Sequence, residues 1–167
     1  MTKFHKVSKT EYIKGYTNIY GNISNDIVEK KYDNIKLPAR ATKYSAGYDF
    51  YAPFSFSLEP NNEILIPTGI RVQMNTNQVL LMFPRSSLGF KYKLRLNNTI
   101  GVIDSDYFNS DNEGHIFVKL TNESKDKTLS INQGDAFCQG IFIEYGLTDD
   151  DAVTATRNGG IGSTNEN

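Results

Sequence analysis

One change of rhythm divides this sequence. From Ser8 to Tyr32 the apolar side chains recur every three to four residues. From Ile35 onward they alternate every second residue and turn residues become dense. A helix puts residues three and four apart on one face and a strand puts alternate residues there, so the two stretches cannot share one kind of element. In the first stretch Ser8-Lys9-Thr10-Glu11 has the form of a capping box, with Ser8 as N-cap and Glu11 able to reach back. Tyr12, Ile13, Tyr16, Ile19 and Tyr20 follow at helical spacing, and Gly21-Asn22 stops that helix. Ser24 opens a second helix with Ile27, Val28, Lys31 and Tyr32. The expectation is a helical extension over residues 1–35 whose aromatic stripe packs on the remainder.

The second stretch reads as strands at 47–52, 63–66, 69–74, 79–83, 100–103, 115–121, 128–131 and 136–145. Between them sit Pro53, Pro60-Asn61-Asn62, Pro67, residues 75–77, residues 110–114 and Gln133-Gly134-Asp135. Many short strands with regular turn signals imply an all-β sandwich or barrel over residues 36–154. No repeat of 20–50 residues is present in the sequence. Residues 155–167 carry too few apolar side chains to pack and too much glycine to hold a shape alone, so a flexible arm is expected there.

A chain of 167 residues can bury roughly 70% of its unfolded surface and needs no staple. Its formal net charge is −1, which disfavours direct nucleic-acid binding. Cys138 is the single cysteine, so an internal disulfide is excluded, and with only His5 and His115 a Cys/His zinc cluster is not credible. No apolar run approaches the ~18–20 residues of a membrane span, and Met1-Thr2-Lys3-Phe4-His5-Lys6 lacks a signal peptide's apolar region. A cytoplasmic location is the expectation.

Phe83-Pro84-Arg85-Ser86-Ser87-Leu88-Gly89 is the segment richest in chemistry. A guanidinium fork, two hydroxyls and the N–H groups of a turn suit phosphate oxygens, though Arg-Ser-Ser also fits an ordinary surface turn. Asn98-Thr99-Ile100-Gly101-Val102-Ile103-Asp104-Ser105-Asp106-Tyr107 carries an apolar strand into two carboxylates and a tyrosine. An acid at the mouth of a β scaffold can deprotonate a water, and two acids can equally form a turn. Gly101 either lets a flat ligand approach the backbone or marks a bulge. Ala46-Gly47-Tyr48-Asp49 puts one acid in an uncharged strand, against which stands an Asp on the solvent face of an edge strand. Gln139, in Gly134-Asp135-Ala136-Phe137-Cys138-Gln139, either donates to a phosphate or faces outward. Arg157, Ser163 and Thr164 on a Gly-jointed tail suit a lid over an anion, and equally a disordered terminus.

In this order, with the tail Arg157-Asn158-Gly159-Gly160-Ile161-Gly162-Ser163-Thr164, the five segments resemble the five motifs of the trimeric dUTPase family, over residues 37–164. The resemblance implies a jelly-roll or distorted β-barrel protomer, a homotrimer with shared active sites, and hydrolysis of dUTP to dUMP and pyrophosphate with Mg2+. That activity limits uracil incorporation into DNA and supplies dUMP.

The roles carry over by position. Asp104 matches the acid that activates water for attack at the α-phosphorus. Tyr107 matches the ring that packs on deoxyribose and excludes a 2′-hydroxyl. Asn98, with strand backbone at Gly101, matches the reader of the uracil edge. Arg85, Ser86, Ser87 and Gln139 match phosphate contacts, and Asp49 the carboxylate that holds magnesium through water. Arg157, Ser163 and Thr164 match the γ-phosphate grip of an arm closing a neighbour's active site, with Ile161 and Gly162 over the base.

The sequence departs from the family pattern in four places. Ile161 stands where an aromatic usually stacks on uracil, which implies weaker lid closure. The spacing from Arg157 to Gly159 is one residue short, residues 1–35 lie outside the common core, and the loop 108–114 is long. A dCTP deaminase-like sibling would use a glutamate near the base in place of the Gly-Val-Ile-Asp-Ser-Asp-Tyr run. A nucleotide-bound trimer with a regulatory protein partner is the reading from another class, as an added role.

Overall fold

The computed structural model describes residues 1–157 and Gly159. In chain order these form β1 (Lys3–Lys6), α1 (Lys9–Tyr20), α2 (Asn25–Asp33), β2 (Ala39–Arg40), β3 (Tyr48–Tyr51), β4 (Phe56–Leu58), β5 (Glu63–Pro67) and β6 (Ile70–Gln73). There follow β7 (Gln78–Pro84), α3 (Ser86–Tyr92), β8 (Leu94–Leu96), β9 (Gly101–Asp104), a 3₁₀ turn (Ser105–Asn109), β10 (Phe117–Asn122), β11 (Leu129–Ile131) and β12 (Ala136–Glu144).

The two N-terminal helices form where the helical rhythm lies. Ser8 Oγ accepts from the Glu11 backbone N–H at 3.1 Å, which is one half of the capping box. The reciprocal half comes from far along the chain. Glu113 accepts from Ser8 N–H at 2.8 Å and from Ser8 Oγ at 2.6 Å. Glu11 turns inward instead, is 8% exposed, and lies 3.8 Å from His115 Nδ1. Gly21 ends α1 at φ 79, where its N–H reaches Thr17 O. Tyr12 and Tyr16 are buried, and the rings of Tyr16 and Tyr20 each meet Phe54 at 5.6 Å. The aromatic stripe therefore belongs to the same hydrophobic cluster as the β domain.

Every strand pair is antiparallel, and the largest sheet has the order β2-β3-β12-β7-β9. A second sheet runs β5-β10-β8, with the pairs β1-β6 and β11-β4 beside them. Leu80, Met82 and Phe137 of the first sheet and Ile66, Leu96, Val118 and Leu120 of the second sit in one core. The class is mostly β, of the jelly-roll type, without a closed barrel among the described residues. No described helix is long and apolar enough to cross a membrane.

The elements that sequence periodicity missed are short. Lys3–Lys6 is a strand within the stretch read as helical, and Phe4 pairs with Val72 there. Four residues cannot display a period, and the free edge of β6 decides their state. β2, β4 and β8 are two or three residues long for the same reason. Ser86–Tyr92 is a helix where a turn was expected, and the strand read from residue 115 starts at Phe117.

Candidate active site

Two recesses carry the polar residues of interest, and they share no lining residue. The first, of about 510 Å³, is lined by Asn98, Gly101, Val102, Asp104, Tyr107 and Arg157 over an apolar floor of Met82, Leu96, Ile116 and Val118. β9 brings Gly101 opposite Met82 and Asp104 opposite Val79. A Cβ on Gly101 would stand 2.9 Å from Met82 Cβ, so close packing on β7 requires glycine there. After β9 the 3₁₀ turn swings Tyr107 inward, where it is 5% exposed. Burial pushes its phenol pKa up, opposed by the bond from Asn112 and the charge of Arg157.

Asp104, just before that turn, and Asp106, within it, stay half exposed. Arg157 pairs with both: its Nη2 holds Asp104, and its Nε donates to Asp106 Oδ1 at 3.0 Å. The guanidinium lies 5.7 Å from the centre of the Tyr107 ring. One side-chain fork thus spans the carboxylate pair at the mouth of an apolar recess.

The second recess, of about 570 Å³, is lined by Phe83, Arg85, Ser86, Gly89, Phe90 and Gln139, among others. Antiparallel pairing of β12 with both β3 and β7 sets Gln139 beside Asp49 and Phe83. Asp49 is therefore not on a sheet edge, and its carboxylate is 14% exposed. Arg85 Nε lies 3.2 Å from Asp49 Oδ1, and Gln139 Nε2 donates to Pro84 O at 3.3 Å. α3 begins at Ser86 and Ser87, and the first N–H groups of a helix have no partner within it. Cys138 is fully buried between these strands, and burial pushes its thiol up, with Asp49 adding to the effect.

The site residues expected from sequence thus fall into two groups. Asn98, Gly101, Asp104, Tyr107 and Arg157 share one recess. Arg85, Ser86 and Gln139 share the other, with Asp49 beside them; Ser87 follows in α3 but lines neither. Val79, opposite Asp104, precedes Arg85 by six residues, so the strand positions of Asp104 and Arg85 are about 20 Å apart along β7 at ~3.3 Å per residue, while Gly101, opposite Met82, is about half as far from Arg85. Ile161, Gly162, Ser163 and Thr164 lie outside the described residues. Asn112, which donates to Tyr107 Oη at 2.8 Å, was not singled out by sequence reading. Its one signal was the length of the loop that contains it.

The dUTPase family model matches residues 33–165. The deoxyuridine 5′-triphosphate nucleotidohydrolase of Lactococcus lactis is 42% identical over 142 residues, covering 82% of this chain and 94% of the relative. The crystal structure of the Streptococcus mutans dUTPase superposes with a TM-score of 0.61 at 38% identity, covering 70% of this chain and 91% of that one. The dUTPase from phage phi11 of S. aureus shares the fold at a TM-score of 0.63 and 19% identity, covering 93% of this chain and 97% of that one. Extending over both recesses and most of the chain, these matches establish that the protein belongs to the dUTPase family and hydrolyses dUTP to dUMP and pyrophosphate.

Proposed function

We propose that the active site is assembled from more than one copy of the chain, in a homotrimer. The observation that carries this is the ~20 Å between Asp104 and Arg85 along β7. Adjacent phosphorus atoms of a triphosphate are only a few ångströms apart, so this spacing favours supply of Asp104 and Arg85 to one nucleotide by two chains. A second copy brings its phosphate recess to the first copy's Asp104. Arg157 reaches Asp104 within its own chain here, and a cyclic assembly lets the same contact form between copies.

In this reading the base enters the recess beside Asn98 and Gly101, where strand backbone and the amide face the uracil edge. A cytosine there leaves donors facing donors, which is costly in a closed pocket. The sugar lies on Tyr107, which leaves no room for a 2′-hydroxyl. Asp104 takes a proton from the water that attacks the α-phosphorus. Arg85, Ser86, Ser87 and Gln139 of a second copy hold the phosphate chain. Arg157 leaves its carboxylates for the more highly charged γ-phosphate, and Ser163 and Thr164 follow it.

The donor set fits magnesium carried by the substrate. Among the described residues no cluster of three or more His, Cys, Asp or Glu could cage a metal ion. A single part-buried carboxylate, Asp49, stands beside the phosphate-binding residues. Mg2+ retains several waters, so Asp49 would hold it through one of them while the phosphates bind it directly. When bound, the ion neutralises phosphate charge. We place the enzyme in the cytoplasm, where this reaction would limit uracil incorporation into DNA. The test is pyrophosphate release from dUTP, UTP, dCTP and dTTP. dUTP is expected to exceed UTP and dCTP by at least ~10²-fold in kcat/KM. Comparable values for dCTP would overturn the reading of the base site.

A further inference from the structure

Tyr107 is held from behind by a loop that lies outside both recesses. Its hydroxyl donates to His115 O at 2.8 Å and accepts from Asn112 Nδ2 at 2.8 Å. The proton positions are determined by the backbone. Gly114 N–H can only donate, so the Asn112 atom 3.1 Å from it is Oδ1. The Asn112 amide nitrogen then faces the phenol. His115 O can only accept, so the phenol proton goes there. Asn112 Nδ2 also reaches His115 O at 3.5 Å, so amide, phenol and carbonyl form one closed set around the ring's hydroxyl.

The loop is itself braced. Ser110 N–H reaches Tyr107 O at 3.0 Å and His115 N–H reaches Asn112 O at 3.0 Å. Glu113 carries the loop to the start of α1 through Ser8, and to Arg71 at 3.8 Å. Arg71 in turn donates to Phe108 O at 2.6 Å. These contacts have no part in the phosphate chemistry, yet they converge on the group that meets the sugar.

We propose that Asn112 is a positioning residue that sets discrimination between deoxyribose and ribose by holding Tyr107 through its hydroxyl. The proposal rests on the reading of Tyr107 as the sugar platform. Releasing the hydroxyl lets the ring tilt, which admits a 2′-hydroxyl and loosens the fit to deoxyribose. Asn112 touches no substrate.

The test measures kcat and KM for dUTP and UTP in the full-length enzyme, for Asn112→Ala, Tyr107→Phe, their combination, and Tyr107→Ala. The ratio of kcat/KM values is internal to each preparation, so loss of folded protein does not move it. Asn112→Ala is expected to lower the dUTP/UTP ratio about tenfold, the worth of one hydrogen bond. The loss for dUTP should fall on KM more than on kcat, because the ring meets the sugar and not the reacting phosphorus. Tyr107→Phe should lower it at least as far, because it also removes the bond to His115 O, and the double variant should go no further than Tyr107→Phe, where the Asn112 bond is already lost. If Asn112→Ala or Tyr107→Phe leaves the ratio within twofold while Tyr107→Ala collapses it, the platform stands and the role of Asn112 is wrong. Additive effects in the double variant also overturn it. If Tyr107→Ala leaves the ratio unchanged, the platform reading fails and this proposal fails with it.

Discussion

Asp104 and Arg85 stand at opposite ends of one strand: Asp104 faces Val79 near the start of β7, and Arg85 follows its last residue, Pro84. Antiparallel pairing sets Asp104, and the ladder of β7 with β12 runs to Pro84, the residue before Arg85. The separation is as rigid as the sheet. In the proposed assembly, a substrate that needs both is met by two chains.

Mixed assemblies test the proposed sharing of the site between Asp104 and the arm that carries Arg157. One variant carries Asp104→Asn with an intact arm, and the other is cut before Arg157 with Asp104 intact. Each alone should be inactive. Co-expressed in equal amounts, with independent supply of the two parts, about a quarter of sites should be whole. Activity that neither variant has alone is the expected outcome. Mixed trimers without activity would mean that Asp104 and the arm closing on it come from one chain.

Asp104→Asn keeps the shape of the side chain and removes the proposed base. It is expected to lower kcat by ~10²–10⁴-fold, with binding of a non-hydrolysable dUTP analogue retained. Near-normal turnover would move the role to Asp106, which Arg157 also holds.

Gly114 sits at φ 69, and a Cβ there would stand 2.6 Å from Tyr107 O and 2.8 Å from Phe108 Cα. Both neighbours are backbone and cannot swing away. Gly114→Ala is expected to cost about 1–3 kcal/mol in urea unfolding. Gly89, in α3, faces open space, and Gly89→Ala should raise stability by about 0.5–1 kcal/mol. Equal effects at the two positions would contradict the packing described.

His115 is fully buried, and its Nε2 accepts from Gly69 N–H at 2.9 Å. Burial lowers its pKa from the ordinary 6.5, against the opposing pull of Glu11. The unfolded chain therefore binds a proton that the folded chain refuses. Stability contributed by His115 is present above pH 6.5 and is lost as pH falls from there toward the folded pKa. Glu113 titrates lower. Burial raises its pKa, but the bonds from Ser8 and the charge of Arg71 outweigh that and hold it below 4.5. Tm measured between pH 7 and 5 should fall with pH, and His115→Gln should flatten that slope. An unchanged slope in the variant would assign it elsewhere.

The two N-terminal helices were legible in the sequence because their signals are local. Ser8, the tyrosine stripe and Gly21 act within one or two turns of chain, so spacing alone reports them. The longer strands were legible for the same reason, and Asp104, Tyr107 and Arg85 stood in motifs that read in order. What spacing could not report depends on residues distant in the chain. β1 exists because β6 has a free edge, and Glu113 completes a helix cap 105 residues upstream. Glu11, read as the second half of that cap, is drawn inward beside His115. Asn112 carried no signal beyond the length of its loop, since its contact with Tyr107 comes only from where the fold sets that ring. The division of the site into two recesses is likewise a matter of register. Residues that seem adjacent as a series of motifs are separated by the length of a strand, because antiparallel pairing turns sequence order into opposite ends of a sheet.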